Sequence, residues 1–359
     1  MSPSSSAAAV RAAAPGRVNL IGEHTDYNGG FVLPTAIPQQ TSVELVRQAG
    51  RRVQAHSANA APDGVYELGH ERQRGDWLDY VQGITWSLEQ AGFHVAEGFS
   101  LHIRSDVPLG SGLSSSASLE VALLRAMRTA FGLNLDDVRL ATLGQTAEND
   151  FVGARCGIMD QMAASLADGE RALFLDTRTL EFRQVPLPAS ADLVVIDSGV
   201  RHAVAGGEYN TRRAECEAAA EQLGVPQLRD LSASDLGRIE RLPEPLGRRA
   251  RHVVTEDERV LAAVAALEAG DVERLGALFV ASHLSQARDF EVSTPEVDLL
   301  VDQARADAAV YGARLTGGGF GGAVVILAHA GQGQAVAERV AHAYAARSGQ
   351  TPRVLVPTD

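Results

Sequence analysis

The pattern of apolar and polar positions predicts that the first half of the chain is rich in β-strands. The segments VNLIG (18–22), FVLPTAI (31–37) and SVELV (42–46) have strand character, and the NGG at 28–30 is a turn signal. The segment FSLHIRS (99–105) alternates apolar and polar side chains, which is typical of a half-buried strand.

Helical periodicity is clearest in two segments. WLDYVQGITWSLEQAG predicts a helix that begins after Asp76 and ends at Gly92. In LEVALLRAMRTAFG, every fourth residue from Leu119 to Phe131 is apolar, and Gly132 is the stop. Further helices are predicted at about 136–150, from Asp160, and at 207–223, 255–285, 295–308 and 333–347. Further strands are predicted at 192–197, after a glycine loop within 313–328, and at 353–356.

The mixture of strands and helices shows no regular βα alternation and predicts an α+β fold. A length of 359 residues is typical of two domains or of one large domain. The proline-containing run VPLPASA (185–191) is the predicted boundary, so residues 1–188 and 189–359 form two predicted domains. The N-terminus, MSPSSSAAAVRAAAPG (1–16), is rich in Ala and Ser and predicts a frayed tail.

The charge balance narrows the class of partner. The net charge of −13 disfavours nucleic acid and anionic membranes as main partners, because both bind clustered basic faces. No run of about 20 apolar residues is present, so no transmembrane helix is expected. Cys156 and Cys216 show neither a C-x-x-C pair nor metal-ligand spacing, and they predict reduced thiols in a cytoplasmic protein.

The chain contains no lysine, so all 32 of its basic residues are arginine. This excludes chemistry that depends on a lysine: Schiff bases, pyridoxal-phosphate enzymes, Walker-A P-loops and protein-kinase-like sites. An anionic substrate must therefore be held by local geometry.

The segment VPLGSGLSSSASLE (107–120) places glycines and serines between a predicted strand and a predicted helix. Backbone N–H groups and the dipole at a helix start favour an anion, and Gly110 and Gly112 allow a phosphate to approach the backbone. Serine hydroxyls could add donors or a Mg²⁺ ligand. A serine-rich helix cap without any ligand explains the same residues, so both interpretations stand on this motif alone.

The segment GRVNLIGEHTDYNGG gathers Arg17, Glu23, His24 and Asp26 within ten residues of otherwise apolar sequence. One interpretation is a metal site, although the H-E-x-x-H spacing of a helical site is absent. A second is a sugar site, since carboxylates and His contact several hydroxyls at once. A third is a solvated turn with ion pairs.

Two further motifs carry candidate chemistry. In RCGIMDQMAASLA, Asp160 precedes an apolar helical run and is either an N-cap or a carboxylate beside a bound hydroxyl. The glycines of TGGGFGG (316–322) match G-x-G-x-x-G, but a strand follows them where a dinucleotide fingerprint requires a helix. The dinucleotide interpretation is therefore rejected, and a glycine loop packed against a ligand or another backbone remains.

Taken in order, these motifs resemble those of the galactokinases in the GHMP small-molecule kinase family. GRVNLIGEHTDYNGG resembles the galactokinase signature, PLGSGLSSSASLEVA the family's phosphate loop and LTGGGFGGAVV its third motif. RCGIMDQ, VRHAVAGGEYNTRRAEC (200–216) and SHLSQARDFEVSTPEVDLLV (282–301) also resemble galactokinase segments. The resemblance covers nearly the whole chain after the first dozen or so residues.

The resemblance implies a role for each matching residue. Asp160 would be the catalytic carboxylate, and Arg17 would stabilise it and the transferring phosphoryl group. Ser116 and Glu148 would contact Mg²⁺, and Trp77 would lie near the adenine of ATP. The implied sugar ligands are Glu23, His24, Asp26, Gly157, Asp160 and Tyr209. The implied phosphate loop consists of Gly110, Ser111, Gly112, Leu113, Ser114, Ser115, Ser116 and Ala117.

The resemblance also implies the two-domain GHMP kinase fold, with a ribosomal-protein-S5-like N-terminal domain, a ferredoxin-like C-terminal domain and the active site in the cleft. The implied reaction is the MgATP-dependent phosphorylation of the C1 hydroxyl of α-D-galactose, the first committed step of galactose catabolism by the Leloir pathway. We expect a cytoplasmic monomer that binds galactose and ATP, but neither nucleic acid nor a membrane.

Two alternatives remain beside this reading. One is a kinase for a related sugar such as N-acetylgalactosamine, galacturonate or arabinose, against which the intact galactokinase signature argues. The other is a sensor that binds galactose and ATP without catalysis. The intact SSSA run at 114–117 and the presence of Asp160 argue against the sensor.

Overall fold

The computed structural model describes residues 8–201 and 205–357. The strands are β1 (Val10–Asn19), β2 (Phe31–Val32), β3 (Pro34–Gln48), β4 (Arg52–Ser57), β5 (Ala60–Glu67), β6 (Gly98–Ser105), β7 (Arg171–Asp176), β8 (Phe182–Pro186), β9 (Ala191–Arg201), β10 (Val310–Thr316), β11 (Gly321–His329) and β12 (Arg353–Val356). The helices are α1 (Leu78–Gln90), α2 (Ser115–Phe131), α3 (Asp137–Thr146), α4 (Met159–Leu166), α5 (Ala205–Leu223), α6 (Leu236–Ile239), α7 (Leu246–Ala269), α8 (Val272–Ser285), α9 (Pro295–Arg305) and α10 (Gly333–Ser348). The prediction of an α+β fold is confirmed.

Shorter helical turns extend or connect these elements. Turns with π-helical hydrogen bonding follow α3 at Ala147–Val152 and α8 at Gln286–Phe290. Three short 3₁₀ turns lie at Asp26–Asn28, Leu228–Asp230 and Ala233–Asp235. Among the helices of residues 8–201 and 205–357, none combines the length and the apolar character that a membrane span requires.

The chain forms two compact units whose segments alternate along the sequence. Unit 1 contains the described residues up to Gly16, together with Gln39–Pro108 and Ser114–Leu166. Unit 2 contains Arg17–Pro38, Leu109–Leu113 and the described residues from Ala167 onward. The division of the chain between residues 188 and 189 stays a prediction.

Unit 1 is built on a five-stranded sheet in the order β1-β3-β6-β4-β5, in which β4 and β6 are parallel. Alternation along β3 explains why one sheet face is covered: Val43 and Leu45 are buried, whereas Ser42 is exposed. Together with Val121 from α2 and Ile84 from α1, these side chains form one apolar core. The helices thus cover one face of the sheet.

Unit 2 contains two antiparallel sheets. One has the order β10-β11-β9-β12, and the other joins β2, β7 and β8. The apolar run of β11 is buried on both faces, as its unbroken Gly-Ala-Val-Val-Ile-Leu-Ala sequence predicts. The apolar core of unit 2 includes Val194, Leu315 and Val324 from the first of these sheets, and Val253 and Leu300 from the helices.

The structure corrects several predicted elements. The N-terminal tail was expected to reach residue 16, but β1 begins at Val10; residues 1–7 of that tail lie outside the described residues. The single helix predicted at 255–285 is two helices, α7 and α8, because Gly270 takes a left-handed conformation and ends α7. The segment RLPEPLGRR (241–249), whose prolines and glycine predict an internal loop, is partly helical, since α7 begins at Leu246.

Candidate active site

The residues between β1 and β2 form a tight loop in unit 2, which we call the signature loop (residues 19–31). Gly22 has φ +106°, and a Cβ added there would lie 2.7 Å from the carbonyl oxygen of Phe31, so only glycine fits. The Thr25 hydroxyl lies 2.8 Å from the carbonyl oxygen of Gly22 and 2.6 Å from that of Phe31. The loop therefore closes on itself and holds its polar side chains in fixed positions.

Glu23 is buried within unit 2 and is surrounded by hydrogen-bond donors. Its Oε1 accepts from the backbone N–H of Gly317 at 2.9 Å and from the Thr316 hydroxyl at 3.2 Å. Its Oε2 accepts from the guanidinium of Arg314, which is also completely buried. Burial raises the pKa of Glu23, and Arg314 and the Gly317 amide act against that rise. Contact of Glu23 with a sugar stays a prediction.

His24 is a buried, neutral imidazole. Burial, followed by the neighbouring His252 and Arg212, lowers its pKa to about 3. Its Nδ1 lies 2.9 Å from the hydroxyl oxygen of Tyr27. Its Nε2 is buried and has no well-formed hydrogen bond within the described part of the chain, although the backbone of Gly318 is close enough to the ring to oppose the fall in its pKa. A buried polar nitrogen without a partner is costly, so this position suits a ligand hydroxyl.

Two tyrosines lie beside this imidazole in unit 2. The ring of Tyr209, on α5, has its centroid 5.4 Å from that of His24 and 5.6 Å from that of Tyr27. Asp26 is half-buried in the 3₁₀ turn, where its Oδ1 accepts from the Tyr27 N–H at 2.9 Å. The structure thus brings the rings of His24 and Tyr209 together. Asp26 lies beside Tyr27 and bonds to its backbone.

Arg17 lies against the start of the predicted phosphate loop, also in unit 2. Its backbone N–H donates to the carbonyl of Leu113 at 3.2 Å, and its Nη1 donates to the carbonyl of Gly112 at 2.5 Å. The side chain is 3% exposed. A buried cation is therefore held beside backbone that the sequence predicts to bind phosphate.

The predicted phosphate loop has the backbone of an anion-binding turn. Gly110, Gly112 and Ser114 all have positive φ, and α2 begins directly afterwards, at Ser115, with no acidic residue in its first turn. The first N–H groups of a helix have no intrahelical acceptor. The Ser114 Oγ is buried and, among the residues described, has no hydrogen-bond partner. These donors fit an anion, as the sequence motif indicates.

The glycine motif at 316–322 packs against another backbone, which is one of the two interpretations that its sequence left open. A Cβ on Gly317 would collide with the carbonyl of Gly112, and one on Gly322 would lie 2.8 Å from the carbonyl oxygen of Ser111. The strand β11 begins at Gly321, which is consistent with the rejection of a dinucleotide fingerprint. The motif therefore packs directly against the backbone of the loop segment Leu109–Leu113.

A cluster of acidic residues lies beside the start of α2 in unit 1. Glu148, in the π-helical turn, accepts a hydrogen bond from the Ser116 side chain and one of 2.7 Å from Gln161 Nε2. The same Gln161 amide donates to Glu120 Oε2 at 3.0 Å. Burial raises the pKa of Glu148 and Glu120, and charge repulsion raises both further, from Asp160 for Glu148 and from Glu148 for Glu120. A nearby cation would favour the ionised form of both carboxyl groups.

These side chains fit Mg²⁺ as the resemblance implies. Mg²⁺ is bound in proteins by one or two hard oxygen ligands together with substrate phosphates and water. The carboxylate of Glu148 and the hydroxyl of Ser116 are such oxygens and are in direct contact. No group of three or more His, Cys, Asp or Glu side chains arranged to hold a metal by itself is found in the described ranges. A cation here would therefore depend on a bound phosphate.

Three further predicted residues lie in unit 1, one of which, Asp160, acts electrostatically on Glu148. Asp160 is half-buried in the first turn of α4, and Gly157 is buried three residues before it. The indole N–H of Trp77 donates to the carbonyl of Pro62 at 3.1 Å, and its ring packs on the core of unit 1. A role for Trp77 near the adenine stays a prediction.

Several buried charged residues next to the site were not predicted. In unit 2 these are His252, Glu256 and Arg314, and in unit 1 Glu120. One signal was available in the sequence: an arginine inside the apolar strand VYGARLT must be paired, because an unpaired buried charge is very costly. The partner could not be read from the sequence.

Three family models match the chain. "Galactokinase galactose-binding signature" matches residues 4–46, "GHMP kinases N terminal domain" matches residues 79–168, and "GHMP kinases C terminal" matches residues 263–346. Together they cover the glycine motif and all the predicted site residues except Trp77 and Tyr209.

The chain is similar to curated galactokinases over nearly its whole length. It is 48% identical to a galactokinase of Streptomyces coelicolor over 351 residues, covering 95% of this chain and 90% of the relative. It is 44% identical to a galactokinase of Roseiflexus sp., covering 96% and 89%.

Solved structures show the same similarity. Lactococcus lactis galactokinase complexed with galactose is 34% identical, with a TM-score of 0.93 over 96% of this chain and 92% of that one. Methanococcus jannaschii mevalonate kinase is 18% identical with a TM-score of 0.70, covering 98% of both chains, and shares the fold.

Proposed function

The chain belongs to the galactokinase family of the GHMP kinases, and we propose that it transfers the γ-phosphoryl group of ATP to the C1 hydroxyl of α-D-galactose. The products are galactose 1-phosphate and ADP. The observation that carries the proposal is the signature loop: it holds the buried His24 Nε2, which has no well-formed hydrogen bond in the described chain, beside the ring of Tyr209. A sugar hydroxyl supplies the missing hydrogen-bond partner.

The sugar site consists of polar groups held by a rigid backbone. His24, Asp26, Tyr209 and Glu23 bind galactose hydroxyls, and Gly157 leaves room for the ring. The imidazole of His24 is neutral, so it both donates and accepts hydrogen bonds. A site of buried hydrogen-bonding groups rejects an epimer strongly, because the wrong sugar leaves those groups without partners. This supports selectivity for galactose.

Asp160 and Arg17 act on the reacting atoms. Phosphoryl transfer asks a protein mainly to position its substrates and to stabilise charge. The carboxylate of Asp160 orients the C1 hydroxyl and accepts its proton as the oxygen attacks the γ-phosphorus. The bond from the γ-phosphorus to the β,γ-bridging oxygen breaks, and ADP leaves with the electron pair. Arg17, buried and fixed by the Gly112 carbonyl, offsets negative charge on the transferring phosphoryl group.

The loop from Gly110 to Ala117 binds the ATP phosphates through backbone N–H groups and serine hydroxyls, which suits a chain without lysine. Ser116 and Glu148 hold Mg²⁺. When bound, Mg²⁺ neutralises phosphate charge. Trp77 lies at the adenine end of the nucleotide.

We also propose a cytoplasmic monomer whose two domains comprise residues 1–188 and 189–359, with neither nucleic acid nor a membrane as partner. Both cysteines are free thiols, which supports a reducing compartment. Few large apolar side chains are exposed in the described part of the chain, which supports the monomer. The net charge of −13 supports the absence of polyanionic partners.

A panel of sugars tests the proposed function. Purified protein with MgATP is incubated with galactose, N-acetylgalactosamine, galacturonate, arabinose or no sugar, and ADP release is measured. We expect ADP release with galactose well above that with the other sugars. Release with another sugar alone would establish a different sugar kinase. Binding of galactose without ADP release from any sugar would establish a sensor. Either result would refute the proposal.

A further inference from the structure

Helix α7 contacts the signature loop through a buried charge network, which we define as Glu23, Arg314, Glu256 and Arg259. The charges alternate in sign along this series. Glu23, Arg314 and Glu256 are each at most 1% exposed. No sequence motif singled out Arg314, Glu256 or Arg259. All four residues of the network lie in unit 2.

Glu256 is the member of this network that reaches the loop backbone from α7. Its Oε1 accepts from the backbone N–H of Gly22 at 3.0 Å, and its Oε2 accepts from Nε of Arg259 at 2.6 Å. One helical turn earlier, Nε2 of His252 lies 3.1 Å from the carbonyl oxygen of Glu23. The same helix face therefore contacts the backbone of two consecutive loop residues, the N–H of Gly22 and the carbonyl of Glu23.

Arg314 connects Glu256 to the side chain of Glu23. Its Nη1 donates to the carbonyl of Leu20 at 2.8 Å, and its Nη2 donates to the Glu23 carboxylate. Its Nε lies 3.1 Å from the hydroxyl oxygen of Ser282, and that hydroxyl donates to Glu256 Oε1 at 2.6 Å. Glu256 and Glu23 thus hold the arginine from two sides.

The electrostatics make Glu256 a charged anchor. Burial acts to raise its pKa, but Arg259, His252 and Arg314 lower it to about 2, so the carboxylate is ionised at neutral pH. Hydrogen bonds to an ionised acceptor are roughly twice as strong as neutral ones. Removing one partner from a buried charge network leaves the others uncompensated. Loss of this charge would therefore displace Arg314 and the loop residues that it holds.

We infer that Glu256 is a positioning residue for sugar recognition: it fixes the Gly22 peptide and Arg314 and, through them, the Glu23 carboxylate and the adjoining His24. The inference rests on the proposed function, since it assigns the signature loop to galactose. Glu256 itself does not contact the substrate. Its effect is on the geometry of the groups that do.

The test uses Glu256→Gln, with Glu258→Gln as the matched control on the same helix. Glu258 is exposed and accepts from the backbone N–H of Ala233, away from the loop. We expect Glu256→Gln to raise the galactose KM about tenfold, equivalent to about 1.4 kcal/mol, and to change the ATP KM by less than about twofold. Amide hydrogen exchange of residues 19–24 should be faster in Glu256→Gln and unchanged in the control.

A purely structural role gives a different result: it reduces the folded fraction and leaves both KM values unchanged. That result, or an equal rise in both KM values, overturns the inference. If Glu256→Gln does not fold, Ser282→Ala removes the neutral bridge between Glu256 and Arg314. It should raise the galactose KM selectively by a smaller factor, and no selective rise overturns the inference. If the wild-type protein does not turn over galactose, the proposed function is refuted instead. The amide exchange rates of residues 19–24 then test separately whether Glu256 fixes the signature loop.

Discussion

The buried carboxyl group of Asp257 should make the stability of the protein depend on pH in a way that can be worked out from its surroundings. Asp257 follows Glu256 on α7 and is 7% exposed. Its Oδ1 accepts from the backbone N–H of Phe31 at 2.8 Å, at the far end of the signature loop. Its Oδ2 is buried and has no partner within the described ranges. The perturbation we propose is Asp257→Asn, which keeps the acceptor and removes the ionisation.

The magnitude follows from the pKa. Burial raises the pKa of Asp257 from 3.8 to about 7; the Phe31 amide and Arg229 oppose the rise, and Glu256 and Asp176 add to it. Between these two pKa values the folded state keeps a proton that the unfolded state has lost, so the free energy of unfolding falls as the pH rises. At about 1.4 kcal/mol per pKa unit, the full effect is about 4 kcal/mol, of which about 3 kcal/mol develops between pH 5 and pH 8.

The assay is urea unfolding of wild type and Asp257→Asn at several pH values from 5 to 8, followed by far-UV circular dichroism. The substituted amide carries a cost of about 1–3 kcal/mol for its unpaired N–H, but that cost does not change with pH. The stability of the variant relative to wild type should therefore rise by about 3 kcal/mol from pH 5 to pH 8. Glu258→Gln, which removes an exposed carboxylate from the same helix, should show no such trend. Parallel pH profiles for wild type and Asp257→Asn would refute the reasoning.

Three further predictions concern the site. Asp160→Asn should lower turnover by at least about a hundredfold while calorimetry still detects galactose binding; turnover within about tenfold of wild type would exclude a central role. Ser116→Ala should shift the Mg²⁺ titration of activity to higher concentration, and an unchanged titration would remove Ser116 from the metal site. Gly317→Ala should destabilise the protein more than Gly331→Ala. The positive φ that both positions share costs about 1–3 kcal/mol in each variant, and only at Gly317 does the new Cβ also collide with Gly112. Equal losses in thermal unfolding would contradict the packing argument.

Elements with strong local signals were predicted well. The alternation at 99–105 corresponds to β6, and the strand predicted at 353–356 is β12. The strands β4 and β5 were not predicted, because β4 carries only two apolar residues, Val53 and Ala55, and β5 contains Pro62 and Gly64, which are unfavourable in strands. A strand that is stabilised mainly by its neighbours leaves little pattern in its own sequence.

The candidate site shows the same division between local and remote signals. The signature residues and the phosphate loop lie in contiguous motifs, so their residue types and spacing could be interpreted directly. The pairing of Glu23 with Arg314 joins positions 291 residues apart, and Glu256 reaches Gly22 across 234. No periodicity carries information over such separations. The sequence therefore supports a prediction of the groups that contact the ligand, but it does not identify the groups that hold them in place.

The site of phosphorylation tests the central claim most directly. Purified protein is incubated with galactose and MgATP, and the phosphorylated product is examined by proton-coupled phosphorus NMR. A phosphate on C1 couples to the single anomeric proton, so the account predicts a doublet that grows as the ATP signals decline and collapses when the anomeric proton is selectively decoupled. Coupling to two protons, seen as a triplet or a doublet of doublets, would place the phosphate on C6, and a doublet unaffected by decoupling of the anomeric proton would place it on another ring carbon. That result, or no sugar phosphate at all, would contradict the account.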